Sequence, residues 1–103
     1  MKRPLRYPNL RKLLGAYLHQ DWDLEANSVD DAISAAIGDA PHEILVGALT
    51  ELQSILAGKI DDEKALLGEI GSDYYPPGDG LTVREWLDRL RNRVARACSG
   101  GDF

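Results

Sequence analysis

Cysteine is almost missing from this sequence. Among 103 residues there is one, Cys98, so no internal disulfide can form, and a reducing compartment, the cytoplasm, is the expected location. Positive charge is scarce too: 12 Lys and Arg stand against 17 Asp and Glu, a net charge of -5. A generic nucleic-acid binder needs surplus cations to displace counterions from phosphate, so the balance argues against nucleic acid as partner. Apolar runs are only a few residues long, too short to span a bilayer, and no membrane partner is expected. Met1-Lys2-Arg3-Pro4 is basic, but no apolar stretch follows it as in a signal peptide. Repeats, low-complexity tracts and period-two alternation are absent as well, which removes solenoids and half-buried strands.

What remains is a chain of single-domain length, with a core expected over about residues 7–97 and frayed ends. Its charge is unevenly spread. Residues 1–12 carry five cations and no acid, whereas residues 19–79 carry fourteen acids against Lys59 and Lys64. Residues 80–103 return to five arginines against three acids. A strongly acidic middle thus lies between basic ends.

Apolar spacing points to helices throughout. Leu10, Leu13, Leu14, Tyr17 and Leu18 share one face behind Pro8, which suits a first turn. Ser28 reads as an N-cap, with Asp30 and Asp31 well placed in the first turn and Gly38 as the stop. Asp39 is expected to cap a helix lined by Ile44, Leu45, Ala48, Leu49, Leu52, Ile55 and Leu56 and ended by Gly58. Asp61 is expected to cap a short helix that stops at Gly71. Residues 72–80, with two prolines and two glycines, read as non-helical. Thr82-Val83-Arg84-Glu85 is a capping box, and Val83, Trp86, Leu87, Leu90, Val94 and Ala97 form the cleanest stripe in the chain. The expected fold is all-α, a single small bundle of about five helices. Each helix is too short to be stable alone, so packing must hold them.

Two stretches concentrate polar and aromatic groups. Tyr17 to Glu25 places His19, Asp21, Trp22, Asp23 and Glu25 at a helix exit. Metal ligation at 19, 21 and 23 needs a strand and a second ligand-bearing element, and acid–base catalysis needs a partner group and a pocket. Neither is indicated, so no metal, cofactor or catalytic residue is expected. Two readings stay open: Trp22 plugs the core with the acids in water, or the stretch is a contact surface for a basic partner. The second stretch is Asp73-Tyr74-Tyr75-Pro76-Pro77-Gly78-Asp79-Gly80. It is not a phosphate cradle, because it lacks a lysine and its two aspartates repel phosphate. Either the prolines fix the turn while a tyrosine packs beneath it, or the turn presents Tyr74 and Tyr75 for binding. Cys98 and His42 have no partner that would make them reactive. The residues thus lead to a binding module with no enzymatic activity.

The segments Tyr7-Pro8-Asn9-Leu10, Gly15-Ala16-Tyr17, His19-Gln20-Asp21-Trp22 and Tyr75-Pro76-Pro77-Gly78, the last followed by a helix bearing Trp86, resemble a family of small bacterial immunity proteins from contact-dependent growth inhibition systems. The likeness spans about residues 7–95 and departs at Leu18, where the family pattern has an aromatic residue. The resemblance implies an antitoxin that stays in the cytoplasm. There it binds the C-terminal toxin domain of a large effector, often a nuclease, and blocks it. A nuclease grips phosphate with a basic surface, which an acidic protein can cover.

The expected partner is therefore a cognate toxin domain in a one-to-one complex, with Asp21, Asp23, Glu25, Asp30, Asp31, Asp73 and Asp79 as contacts and Tyr74 and Tyr75 as aromatic anchors. Shared motifs can instead fix the fold. In that case His19-Gln20-Asp21-Trp22 ties the first helix to the bundle, and the variable acids, such as Asp30, Asp31, Asp39, Glu43, Glu51, Asp61, Asp62 and Glu63, are the true contacts. From a different class, a helical adaptor or regulatory subunit with no toxin partner would share the same composition.

Overall fold

The computed structural model describes residues 6–15, 17–18 and 28–99. Among them are five α-helices and no strand: α1 Pro8–Gly15, α2 Val29–Asp39, α3 His42–Ala57, α4 Glu63–Glu69 and α5 Val83–Cys98, with a 3-10 turn at Pro76–Asp79 between the last two. The protein is an all-α bundle. Helix α3 lies at its centre, packed on α1 along one side and on α5 along the other, and α2 rests on α1.

The stripes read from the sequence are the core. Leu10, Leu13 and Leu14 of α1 and Leu18 just beyond it meet Ala48 and Leu52 of α3 and Val83, Leu87, Leu90 and Val94 of α5 in one apolar cluster. Ala32, Ile33 and Ala36 bring in α2, and Leu66, Leu67 and Ile70 bring in α4. Each fully buried leucine contributes about 1.5–3 kcal/mol of transfer free energy, which offsets the entropy of ordering helices this short.

Helix ends show where local signals sufficed. Ser28 caps α2 by accepting from the Asp31 N–H at 3.1 Å. Both bonds of the capping box at α5 are present: Glu85 N–H donates to Thr82 Oγ1 at 3.0 Å and Thr82 N–H donates to Glu85 Oε1 at 2.9 Å. The Thr82 backbone and hydroxyl together hold the Glu85 carboxyl below the ordinary carboxylate range. Gly71 ends α4 in the left-handed region (φ 82°), with the Ser72 N–H bonded to Leu67 O at 2.9 Å and its own N–H to Gly68 O at 3.2 Å.

Other boundaries differ from expectation. Helix α1 ends at Gly15, and Leu18 continues its apolar face from a turn, its N–H bonded to Leu14 O at 2.7 Å. Gly38 lies inside α2, which runs on to Asp39. Asp39 does not cap α3, whose N-cap position is Pro41; its carboxylate instead accepts the Tyr17 hydroxyl. Asp62, one residue beyond the expected Asp61, caps α4 by accepting from the Ala65 N–H at 3.1 Å. The Pro-Pro-Gly segment forms a 3-10 turn, because proline's fixed φ suits a first turn whose N–H groups would go unbonded anyway. Gly80 closes that turn in the left-handed region, at φ 84°.

Three helix ends are finished from across the bundle. The Glu51 carboxylate of α3 accepts the backbone N–H groups of Asn9 (3.1 Å) and Leu10 (2.8 Å) and the Asn9 side-chain amide (2.8 Å) at the start of α1. Arg84 of α5 donates to Leu56 O at 2.9 Å and to Gly58 O at the end of α3. Arg11 of α1 donates to Gly68 O of α4 at 2.9 Å. Anions at helix starts and cations at helix ends complement the helix dipole.

Candidate protein-binding surface

The turn between α4 and α5 carries the second aromatic stretch, and the fold uses its two tyrosines in opposite ways. Tyr74 is buried: its ring lies 5.4 Å from that of Trp86, tilted by 55°, and its hydroxyl donates to Asp79 Oδ2 at 2.7 Å. Burial first, and the bond to Asp79 second, push its pKa up to about 12, so the phenol stays neutral. Tyr75 is 48% exposed. The expected pair of anchors is thereby divided: Tyr74 holds the turn to α5, and Tyr75 alone faces outward. The reason is the extended backbone at the start of the turn, where successive side chains point to opposite sides.

A neighbouring cleft of about 180 Å³ opens between the start of α2, this turn and α5. Its apolar walls include Val29, Ile33, Leu81 and Trp86. Asp30 and Asp79 line it, as do Arg89 and Arg93. The fold thus brings Asp30 to Tyr74 and Asp79, more than forty residues further along the chain, and adds two cations that sequence reasoning left out. Arg93 Nη1 pairs with Asp30 at 3.4 Å, and Arg93 also donates to the Asp30 carbonyl and to Ser34 Oγ. Spacing held the missed signal: positions 89 and 93 are one helical turn apart on the edge of the α5 stripe. Their charges oppose those of Asp30 and Asp79, so this cleft is not a bare anionic patch.

The remaining contact candidates fall in different places. Asp31 is exposed on α2, and its carboxylate forms no ion pair among the described residues. Asp73 is exposed on the other side of Tyr74, where its N–H donates to Leu18 O at 2.7 Å and ties the turn to the exit of α1. Asp21, Asp23 and Glu25 lie outside the described residues, as do His19 and Trp22.

The structure also sorts the other acids. Glu51 is half-buried and engaged at the start of α1, Asp62 is engaged as a cap, and Glu69 pairs with Arg6 at 3.4 Å. Asp39 holds the Tyr17 proton: the hydrogen bond to its carboxylate is the main reason that the phenol's pKa is raised. Glu43, Asp61 and Glu63 are exposed and form no ion pair among the described residues.

Among the described residues no group of three or more His, Cys, Asp or Glu converges on a metal position, and no helix is long and apolar enough to cross a membrane. What the arrangement offers is protein contact: an exposed ring on a fixed turn, with the carboxylate of Asp73 exposed two residues before it. A family model described as CdiI immunity protein matches residues 6–94. No curated protein and no solved structure matches the chain.

Proposed function

The chain belongs to the CdiI immunity protein family, and from that premise we propose that it neutralises a cognate toxin domain by covering it in a one-to-one complex. The match over residues 6–94 carries this reading. The toxin in this proposal is a nuclease with a basic, phosphate-gripping face, met in the cytoplasm of the producing cell. The protein acts by occlusion, without catalysis or cofactor. Its net charge of -5 supports the choice of a basic partner.

The contact surface in this reading comprises Asp21, Asp23, Glu25, Asp30, Asp31, Asp73, Tyr75 and Asp79, with Tyr74 holding its neighbours in position. Asp31 and Asp73 make the stronger contribution to steering, because no cation of the chain pairs with them among the described residues. Asp30 contributes less, because Arg93 offsets its charge.

Co-expression of this chain with the toxin domain encoded beside it tests the proposal. Growth is rescued, the two proteins co-purify, and association slows roughly tenfold or more between low and physiological salt. The combined Asp31→Lys, Asp73→Lys and Asp79→Lys chain associates more slowly still. A toxin that is not bound refutes the proposed function. Binding whose rate ignores both salt and these reversals refutes electrostatic covering.

A further inference from the structure

We infer that Tyr75 is the principal anchor of this surface and that it receives an arginine guanidinium of the partner protein, stacked on its ring on the side that also exposes the Asp73 carboxylate. The inference rests on the toxin-binding reading and assigns its central contact.

The first ground is exposure. Tyr75 and Val46 are the only large apolar side chains among the described residues that are left substantially exposed, at 48% and 44%. Tyr75 stands between two buried residues, Tyr74 and Pro76.

The second ground is rigidity. The Tyr75 carbonyl accepts the Gly78 N–H at 3.0 Å, and the Tyr74 carbonyl accepts Ser72 Oγ at 3.1 Å. The Pro76 carbonyl accepts the Leu81 N–H at 3.3 Å. Two consecutive prolines remove further freedom. The base of the ring is therefore fixed before any partner arrives, and binding need order little more than the side chain's own torsions.

The third ground is charge. Asp73, two residues before the ring, is exposed and has no ion-pair partner among the described residues. Asp79, four residues after it, accepts the Tyr74 hydroxyl and lines the cleft on the Tyr74 side, so Asp73 is the acid that Tyr75 presents with its ring. Arg89 shares the cleft with Asp79 without pairing with it. A π-face beside an unpaired carboxylate, on a chain of net charge -5, attracts a cation and repels phosphate or an acidic peptide. Among cations, guanidinium fits best: it is planar, weakly hydrated, and able to stack and donate hydrogen bonds at once.

The test measures affinity of the toxin domain for four chains by titration calorimetry, with thermal melts as a fold check. The original chain binds. Tyr75→Ala melts like the original and loses roughly 30-fold or more in affinity. Tyr75→Phe stays within about threefold, because the ring face is kept. The Asp73→Asn variant binds more weakly and with a shallower salt dependence. If the original chain binds and Tyr75→Ala binds within twofold of it, the anchor is wrong while the toxin-binding reading stands. If Tyr75→Phe falls as far as Tyr75→Ala, the hydroxyl is the contact and guanidinium stacking is wrong. If the original chain does not bind, the toxin-binding reading fails, and this inference with it.

Discussion

Replacing Glu51 by alanine destabilises the fold out of proportion to the residue's half-buried position. Helix α1 begins Tyr7-Pro8-Asn9-Leu10, with no Ser, Thr, Asp or Asn at the N-cap position to satisfy its first donors. Pro8 has no N–H, and the Arg11 N–H is the first to bond within the helix, to Tyr7 O at 3.0 Å. The Asn9 and Leu10 N–H groups are left over, and Glu51 accepts both, together with the Asn9 amide.

Losing an ordinary cap costs about 0.5–2 kcal/mol. Loss of the carboxylate's interaction with the helix dipole adds about 0.3–1 kcal/mol. We expect about 2–3 kcal/mol for Glu51→Ala, since water reaches the vacated site only in part. For a chain of this length that lowers Tm by about 10–20 °C. Glu51→Gln keeps an acceptor without its charge and loses about 1 kcal/mol. Urea titrations followed by helical circular dichroism, with Glu43→Ala as an exposed control, read these differences. A Glu51→Ala chain as stable as Glu43→Ala, within about 0.5 kcal/mol, would refute capping from across the bundle.

Two further predictions concern the turn. Gly71 has φ 82°, and a Cβ there would sit 3.3 Å from Arg11 O and from Gly15 N and Cα, so Gly71→Ala costs about 2 kcal/mol in strain and crowding. Gly58→Ala, which meets nothing within 4 Å, stays near neutral in the same denaturation assay. Tyr74 has a folded pKa of about 12 against an unfolded value of 10.0. Stability is therefore unaffected by this group below pH 10 and falls as pH rises from 10 toward 12, because only the unfolded phenol releases its proton there. Tyr74→Phe should flatten that alkaline fall in urea midpoint; an identical slope would remove Tyr74 as its source.

Much of this architecture was legible residue by residue. Burial of Val83, Trp86, Leu87, Leu90 and Val94 follows from their spacing alone, because an amphipathic helix has one face to bury. The capping box and the Ser28 cap follow from side chains that reach only their own first turn. Gly71 as a terminator follows from the backbone freedom that only glycine has. The α2–α3 corner was misread because Asp39 looked like a cap, whereas Tyr17, far off in sequence, claims its carboxylate. Nothing in the sequence marks Gly47, yet a side chain there would collide with the Asn9 amide that Glu51 holds.

The sequence by itself determined the helices, their buried faces, most of their local stops and the family, since each depends on residues within a few positions or on the order of short motifs. Only tertiary structure decided what each charge does. It set Glu51 at the start of α1, Arg84 and Arg11 at the ends of α3 and α4, and Arg93 against Asp30. It also buried Tyr74 while leaving Tyr75 in solvent. Coulomb and hydrogen-bond partners are chosen by distance in space, and between helices the spacing of residues along the chain does not encode that distance.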